Sequence, residues 1–181
     1  GLLEGDRVDA VFSQTPGGLT IQAHLPSLVL DKNWTISAVD ASVAWLENAP
    51  LELSFQAGAA VSRSGIKSGA VEGRILHSPA IDEFDLRLSR ISGVDWFGDA
   101  VHAVGTRTAQ AALCTVEAKS GEWRGWQAND IGMRAVMTDR LLSLQQVSAK
   151  VAEGGVEGDA FIDLPKQSAQ VRFHAQGLDT I

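Results

Sequence analysis

A chain whose apolar residues recur at every second position can gather them on one face only if its backbone is extended. That period runs through most of this sequence. Leu19, Ile21, Ala23 and Leu25 alternate with Thr20, Gln22 and His24. Val39, Ala41, Val43 and Trp45 form a second run, and Leu51, Leu53, Phe55 and Ala57 a third. Phe84, Leu86 and Leu88 are parted by Asp85 and Arg87, and Ala169, Val171, Phe173 and Ala175 by Gln170, Arg172 and His174. Such runs are half-buried strands of an antiparallel sheet; a parallel sheet, covered on both faces, would show continuous apolar blocks. Turn residues fall between the runs: Pro16-Gly17-Gly18, Asp31-Lys32-Asn33, Asn48-Ala49-Pro50, Ser78-Pro79, Ser120-Gly121, Gly154-Gly155 and Pro165-Lys166. The predicted fold is all-β: a curved, mainly antiparallel meander with few or no helices, either closing into a sandwich or left as an open groove. No linker or charge block divides residues 1–181, so a single β-rich domain is expected, read as a fragment of a larger protein because it starts at Gly1.

A short phrase recurs. Leu3-Glu4-Gly5-Asp6, Val71-Glu72-Gly73-Arg74 and Val156-Glu157-Gly158-Asp159 each lead into an alternating run, a turn holding Pro16, Pro79 or Pro165, and a second run. The unequal spacing of Gly5, Gly73 and Gly158 argues for a reused hairpin plan rather than a solenoid of one fixed period. Residues 138–155 read two ways. Thr138 could cap a helix carrying Leu141, Leu144, Val147 and Val151 and ending at Gly154. The favoured alternative is a strand with Leu142 and Leu144, a bulge at Gln145-Gln146, then Val147, Ala149 and Val151.

The stretch 142–179 resembles the repeated β-units of the AsmA-like family, which includes the TamB-type proteins. Gly154-Gly155-Val156-Glu157-Gly158 supplies the small-residue step of that unit, and Phe161-Ile162-Asp163-Leu164 and Val171-Arg172-Phe173 the flanking strands. Residues 69–73 through 91–95 look like a second, looser copy, and Gly5 onward a third. The resemblance implies an elongated curved sheet with an apolar inner surface, in the periplasm or cell envelope of a bacterium. It also implies a parent anchored in the inner membrane and a role in lipid passage or outer-membrane homeostasis. On that basis the expected groove lining is Leu19, Ile21, Leu53, Phe55, Leu86, Leu88, Val171 and Phe173, and the expected partners are lipid acyl chains or envelope proteins. A β-sandwich that serves as an interaction or scaffold domain is the alternative, using the same apolar faces as its core.

The remaining residues carry little chemistry. A net charge of −7, with basic residues spread singly, leaves no field to attract nucleic acid. The lone Cys114 can form no intrachain disulfide, and its apolar neighbours mark it as a small buried hydrophobe. His24, His77, His102 and His174 lack metal-ligand spacing, and no nucleophile elbow or phosphate loop is present. No catalytic, cofactor or metal site is expected. Asp82, Glu83 and Asp85 are a charged strand entry, and as sequence neighbours on a strand they would point to opposite faces rather than into one cleft. The sharpest candidates for partner binding are Trp96, Trp123 and Trp126. If Trp123 and Trp126 shared a strand, one would face inward and the other outward.

Overall fold

The computed structural model describes residues 3–4, 8–30 and 32–177. They form no helix and a single antiparallel sheet. Its segments are β1 (Leu3–Glu4), β2 (Asp9–Thr15), β3 (Gly18–Leu30), β4 (Trp34–Leu46), β5 (Leu51–Ala57), β6 (Ala59–Ser62), β7 (Lys67–Ser68), β8 (Val71–His77), β9 (Asp82–Ser92), β10 (Trp96–Arg107), β11 (Ala112–Trp123), β12 (Trp126–Met137), β13 (Leu141–Val151), β14 (Gly154–Asp163) and β15 (Ser168–Gln176). Three pairs of segments each continue one line: β1 and β2 lie end to end along one side of β3, β5 and β6 along one side of β4, and β7 and β8 along one side of β9. Fifteen segments thus make twelve lines, each hydrogen-bonded to the next in chain order. A strand of 12 residues spans about 40 Å, twice the usual length.

The meander stays open. No second sheet lies on it among the described residues, and β15 does not pair back to β2. This decides between the two forms left open by the alternation: the chain does not fold into a sandwich by itself. The consequence is measurable as surface. Its accessible area is 12563 Å² for 19.2 kDa, against roughly 8,400 Å² for a compact monomer of that mass. Among the described residues only Val39, Ala57, Ala60 and Ala160 are buried apolar residues, and none of the large side chains is fully buried.

Residues 138–155 hold no helix: they comprise the turn at Thr138, the extended β13, the turn at Ala152-Glu153 and the start of β14. The pairing of β13 with β14 slips by one between Leu144 and Val147, so Gln145 and Gln146 together face Asp159. Gln146 has φ 52°, and its N–H donates to Asp159 Oδ1 at 3.2 Å. The bulge restores the apolar phase, which would otherwise turn Val147 and Ala149 to the polar side.

The hairpin turns follow a plan that the recurring Glu-Gly phrase only partly captures. Pro16, Pro79 and Pro165 do lie in turns between paired strands, while Gly5 lies outside the described residues. A stricter repeat is built on Ser78, Thr108 and Thr138, thirty residues apart. Each side-chain oxygen accepts from the N–H three residues on, at 3.2, 3.2 and 3.1 Å. Each backbone N–H donates to the carbonyl of that same residue. The unit between two such turns is one up-and-down strand pair. Two turn assignments from the sequence need correction. Ser120-Gly121 lies inside β11, and Gly154-Gly155 begins β14, the turn being Ala152-Glu153. Small residues serve there as close-approach points in strands, not as corners.

A crease crosses the sheet. Opposed residues Pro26, Ala38, Gly58, Ala70, Ser89, Ala100, Lys119 and Asp130 lie in one line from β3 to β12, between paired rows on either side. Ala38, Ala100 and Asp130 each adopt φ 49°. One left-handed residue turns the following side chains over. A methyl at Gly98 would sit 3.3 Å from Val101 Cγ2, although the two positions differ in parity. The apolar set therefore changes from even to odd numbers across the line, as in Ile36 to Val39 and Trp96 to Val101.

Candidate functional site

One face of the sheet is apolar from edge to edge. The central row runs Phe12, Ile21, Val43, Leu53, Ile75, Phe84, then Gly105, Cys114, Ala135, Leu144, Ala160 and Val171, each directly opposite the next. A second row runs beside it through Ala23, Ala41, Phe55, Gly73, Leu86, Ala103, Val116 and Met133. Leu19, Ile21, Leu53, Phe55, Leu86, Leu88, Val171 and Phe173 all fall on this face, by register and alternation. They do not line an enclosed trough. Most are half-buried by lateral neighbours, Val171 and Phe173 on the edge strand are exposed, and no second layer among the described residues covers them.

That lateral burial has a specific device. Phe55 is opposite Gly73, Phe84 opposite Gly105 and Phe173 opposite Gly158. A Cβ added at any of these glycines would collide with the facing ring. Each ring lies over its glycine, fills the gap in the pleat and shields backbone from water. Apolar area is thus removed from solvent within a single layer, though not completely.

The other face is largely polar. Its row runs Asp9, His24, Asp40, Gln56, Glu72, Arg87, then His102, Glu117, Gly132, Ser148, Glu157 and His174. Cross-strand partners knit it together. His24 Nδ1 lies 2.6 Å from Asp40 Oδ1, and His102 Nε2 lies 2.8 Å from Asp85 Oδ1. Arg74 donates from Nε and Nη2 to the two oxygens of Glu52 at 2.8 and 3.1 Å. That fork holds the Glu52 carboxyl below the usual carboxylate range and raises Arg74. Lys150, likewise raised by its hydrogen bond, donates to Asp130 at the crease at 2.7 Å.

A depression lies over the N-terminal half. The depression there measures about 990 Å³ and is walled by Gln22, His24, Asp40, Ser42, Gln56, Arg74 and Asp85, among others. A smaller one of about 440 Å³ adjoins it and includes Leu76, Val104 and Leu113. Ala23, Ala41 and Phe55 also line the larger depression, so its wall is mixed, while the apolar rows form an open surface among the described residues. Of the three neighbouring carboxylates, Glu83 and Asp85 share one face and both border the smaller depression, while Asp82 lies on the other face. Asp82 meets His77 at 2.5 Å at the strand end, while Asp85 engages His102 on the polar face. Among the described residues no three His, Cys, Asp or Glu converge to hold a metal ion. Cys114 sits in the central apolar row, and partial burial pushes its thiol up.

The tryptophans differ from expectation. Trp123 ends β11 and Trp126 begins β12, so they are cross-strand partners on one face rather than opposite-facing neighbours. The two residues between them, Arg124 at φ 50° and Gly125 at φ 88°, form the tight reversal that the sequence reading missed. Trp96 pairs with Trp123 on the other side. The usable signal was the thirty-residue offset from Trp96 to Trp126, which matches that of the Ser78 and Thr108 turns.

Comparisons with protein-family models, curated proteins and solved structures find no match for this chain.

Proposed function

We propose that this chain is a non-catalytic β-sheet segment of a bacterial envelope protein of the AsmA-like, TamB-type kind, whose apolar face carries acyl chains. The role is lipid passage or outer-membrane homeostasis in the periplasm, with the parent held at the inner membrane. One observation carries the reading: an apolar row spans all twelve strand lines and has no covering layer. An exposed apolar surface this extended marks a binding surface in a soluble protein. An acyl chain laid on it gains up to roughly 0.8 kcal/mol per buried CH₂, so a tail of about 16 carbons gains on the order of 13 kcal/mol if fully sheltered. Contact on one side gives a fraction of that, suited to sliding rather than permanent capture. The thirty-residue strand-pair unit supports the same reading, because such a unit can be repeated to lengthen a sheet without changing its cross-section.

Gentle native extraction followed by lipid mass spectrometry is expected to find acyl lipid on the protein. Cys114 offers a local reporter, being the chain's single thiol and lying in the central row. Its alkylation is expected to slow about fivefold or more when a lysophospholipid occupies the face. Empty protein together with an unchanged alkylation rate sinks the proposal. The rival reading, an interaction or scaffold module, is favoured if a partner's sheet protects Cys114 and lipid does not.

A further inference from the structure

Four of the five tryptophans, Trp34, Trp96, Trp123 and Trp126, lie at the same end of the strands, and Trp45 lies at the other. Trp96, Trp123 and Trp126 form a ladder over three adjacent lines, on the side that carries Val101 and the apolar rows. Trp123 and Trp126 are 61% and 68% exposed, and Val94 in the neighbouring β9–β10 turn is 91% exposed. Trp96 is less so because its indole lies over Gly93, where a Cβ would collide with it. Arg124, at the tip, stacks 5.6 Å from the Trp123 ring centre and reaches to 3.8 Å from Asp95.

What occupies this rim is constrained by shape and charge. Three indoles of at most about 250 Å² each, only 38–68% exposed, offer well under the about 800 Å² per partner that a stable protein interface needs. Lipid insertion has no such minimum area. Indoles favour the headgroup level, where the ring is sheltered and the N–H stays wet. Cations and anions alternate around the tip (Arg124 and Lys150 against Asp95, Glu122 and Glu153), so no net field selects an anionic surface.

The geometry points to this rim as a bilayer-docking edge: Trp96, Trp123 and Trp126 seat among the headgroups of a zwitterionic membrane, with Val94 reaching beside them. The apolar rows then begin where the lipid tails end. This deepens the acyl-carrying reading and rests on it.

Flotation of the 181-residue chain with phosphatidylcholine vesicles tests the docking. Wild type is expected to rise with the vesicles. The double variant Trp123→Ser/Trp126→Ser should lower the bound fraction by roughly tenfold or more, about one Kd decade. Val94→Asp, at a freely exposed turn, is the second variant and should lower it as well, while Trp45→Ser at the far end should not. Raising salt from about 50 to about 500 mM should change wild-type binding less than about twofold. Circular dichroism checks that each variant keeps its sheet. Cys114 protection by soluble lysophospholipid should survive in the double variant, because the rows are untouched. Wild type that stays unbound yet still protects Cys114 overturns the docking edge and leaves the acyl face standing. Equal flotation of wild type and double variant also overturns it, as does binding confined to anionic vesicles at low salt. Loss of Cys114 protection in wild type defeats the acyl reading on which docking depends.

Discussion

The row from Phe12 to Val171 and the row from Asp9 to His174 lie three residues apart on the same strands (four on β13, across its bulge), on opposite sides of one backbone. In the first, every strand contributes an apolar side chain or a glycine. In the second, most contribute a charge, an imidazole or an amide. Their glycines tell the same story. Gly73, Gly105 and Gly158 on the apolar side are roofed by phenyl rings, whereas Gly155 on the polar side has nothing within 4 Å of a Cβ. The apolar side thus packs against itself laterally and remains open above. The polar side is held by ion pairs and resists stacking on another sheet because doing so would strip water from its charges. A single layer survives in water because each face solves half the problem: one supplies apolar contact, the other supplies solvation.

The largest break in this contrast should come from Leu86→Asp, which places a charge between Phe55 and Phe84 in the apolar field. A loss of about 2–4 kcal/mol is expected in urea unfolding, along with loss of acyl-dependent Cys114 protection. An Asp tolerated there with full stability would mean that lateral packing contributes little. Next comes a matched pair of alanines. Gly73→Ala drives a methyl into Phe55 and Leu86 and should cost about 1–3 kcal/mol, while Gly155→Ala on the polar side should gain about 0.4–1 kcal/mol. Equal effects would erase the distinction between roofed and open glycines.

Ala100→Gly sharpens the crease. The left-handed conformation costs an L-residue about 1–2 kcal/mol, and glycine's entropy returns some of that. A net gain near 0.5–1 kcal/mol is expected by thermal melting, with no change in the sheet's circular dichroism. The smallest effect belongs to Glu52→Gln on the polar face. Glu52 is depressed by its hydrogen bonds from Arg74, so its contribution is present above the unfolded carboxylate pKa and disappears as pH falls through the lower folded value. The pair is largely exposed, so the loss at neutral pH should be slight. The variant should lack only that acid-dependent part of the urea midpoint, and an unaltered pH profile would show the fork to be inert.

Much of this was readable from residue order. Alternation around Leu53 and Phe55, or Leu86 and Leu88, specified strands with one apolar side, and the Gln145-Gln146 phase slip between Leu144 and Val147 marked a bulge. The crease was equally present in the letters, since Ile36 gives way to Val39 and Leu25 to Leu28. It passed unnoticed because each slip looks local, and only pairing shows that they align. The Trp123–Trp126 reversal was hidden for a related reason: Arg124 carries no turn signature, and its positive φ is imposed by the two strands that it joins. The open alternative between strand and helix at 138–155 was settled by neighbours, because a strand there completes hydrogen bonds for both β12 and β14.

Side-chain period set the backbone's extended state and divided each strand into a wet and a dry side, because that division needs only local geometry. Whether the dry side met a second sheet was a question about distant segments, and alternation reads the same for a sandwich and for a single layer. The answer came from pairing: among the described residues every line joined its sequence neighbour, so none of these strands was left to form a lid. The same pairing brought indoles from three strands to one rim and phenyl rings over facing glycines, contacts between residues tens of positions apart that no local rule could have specified.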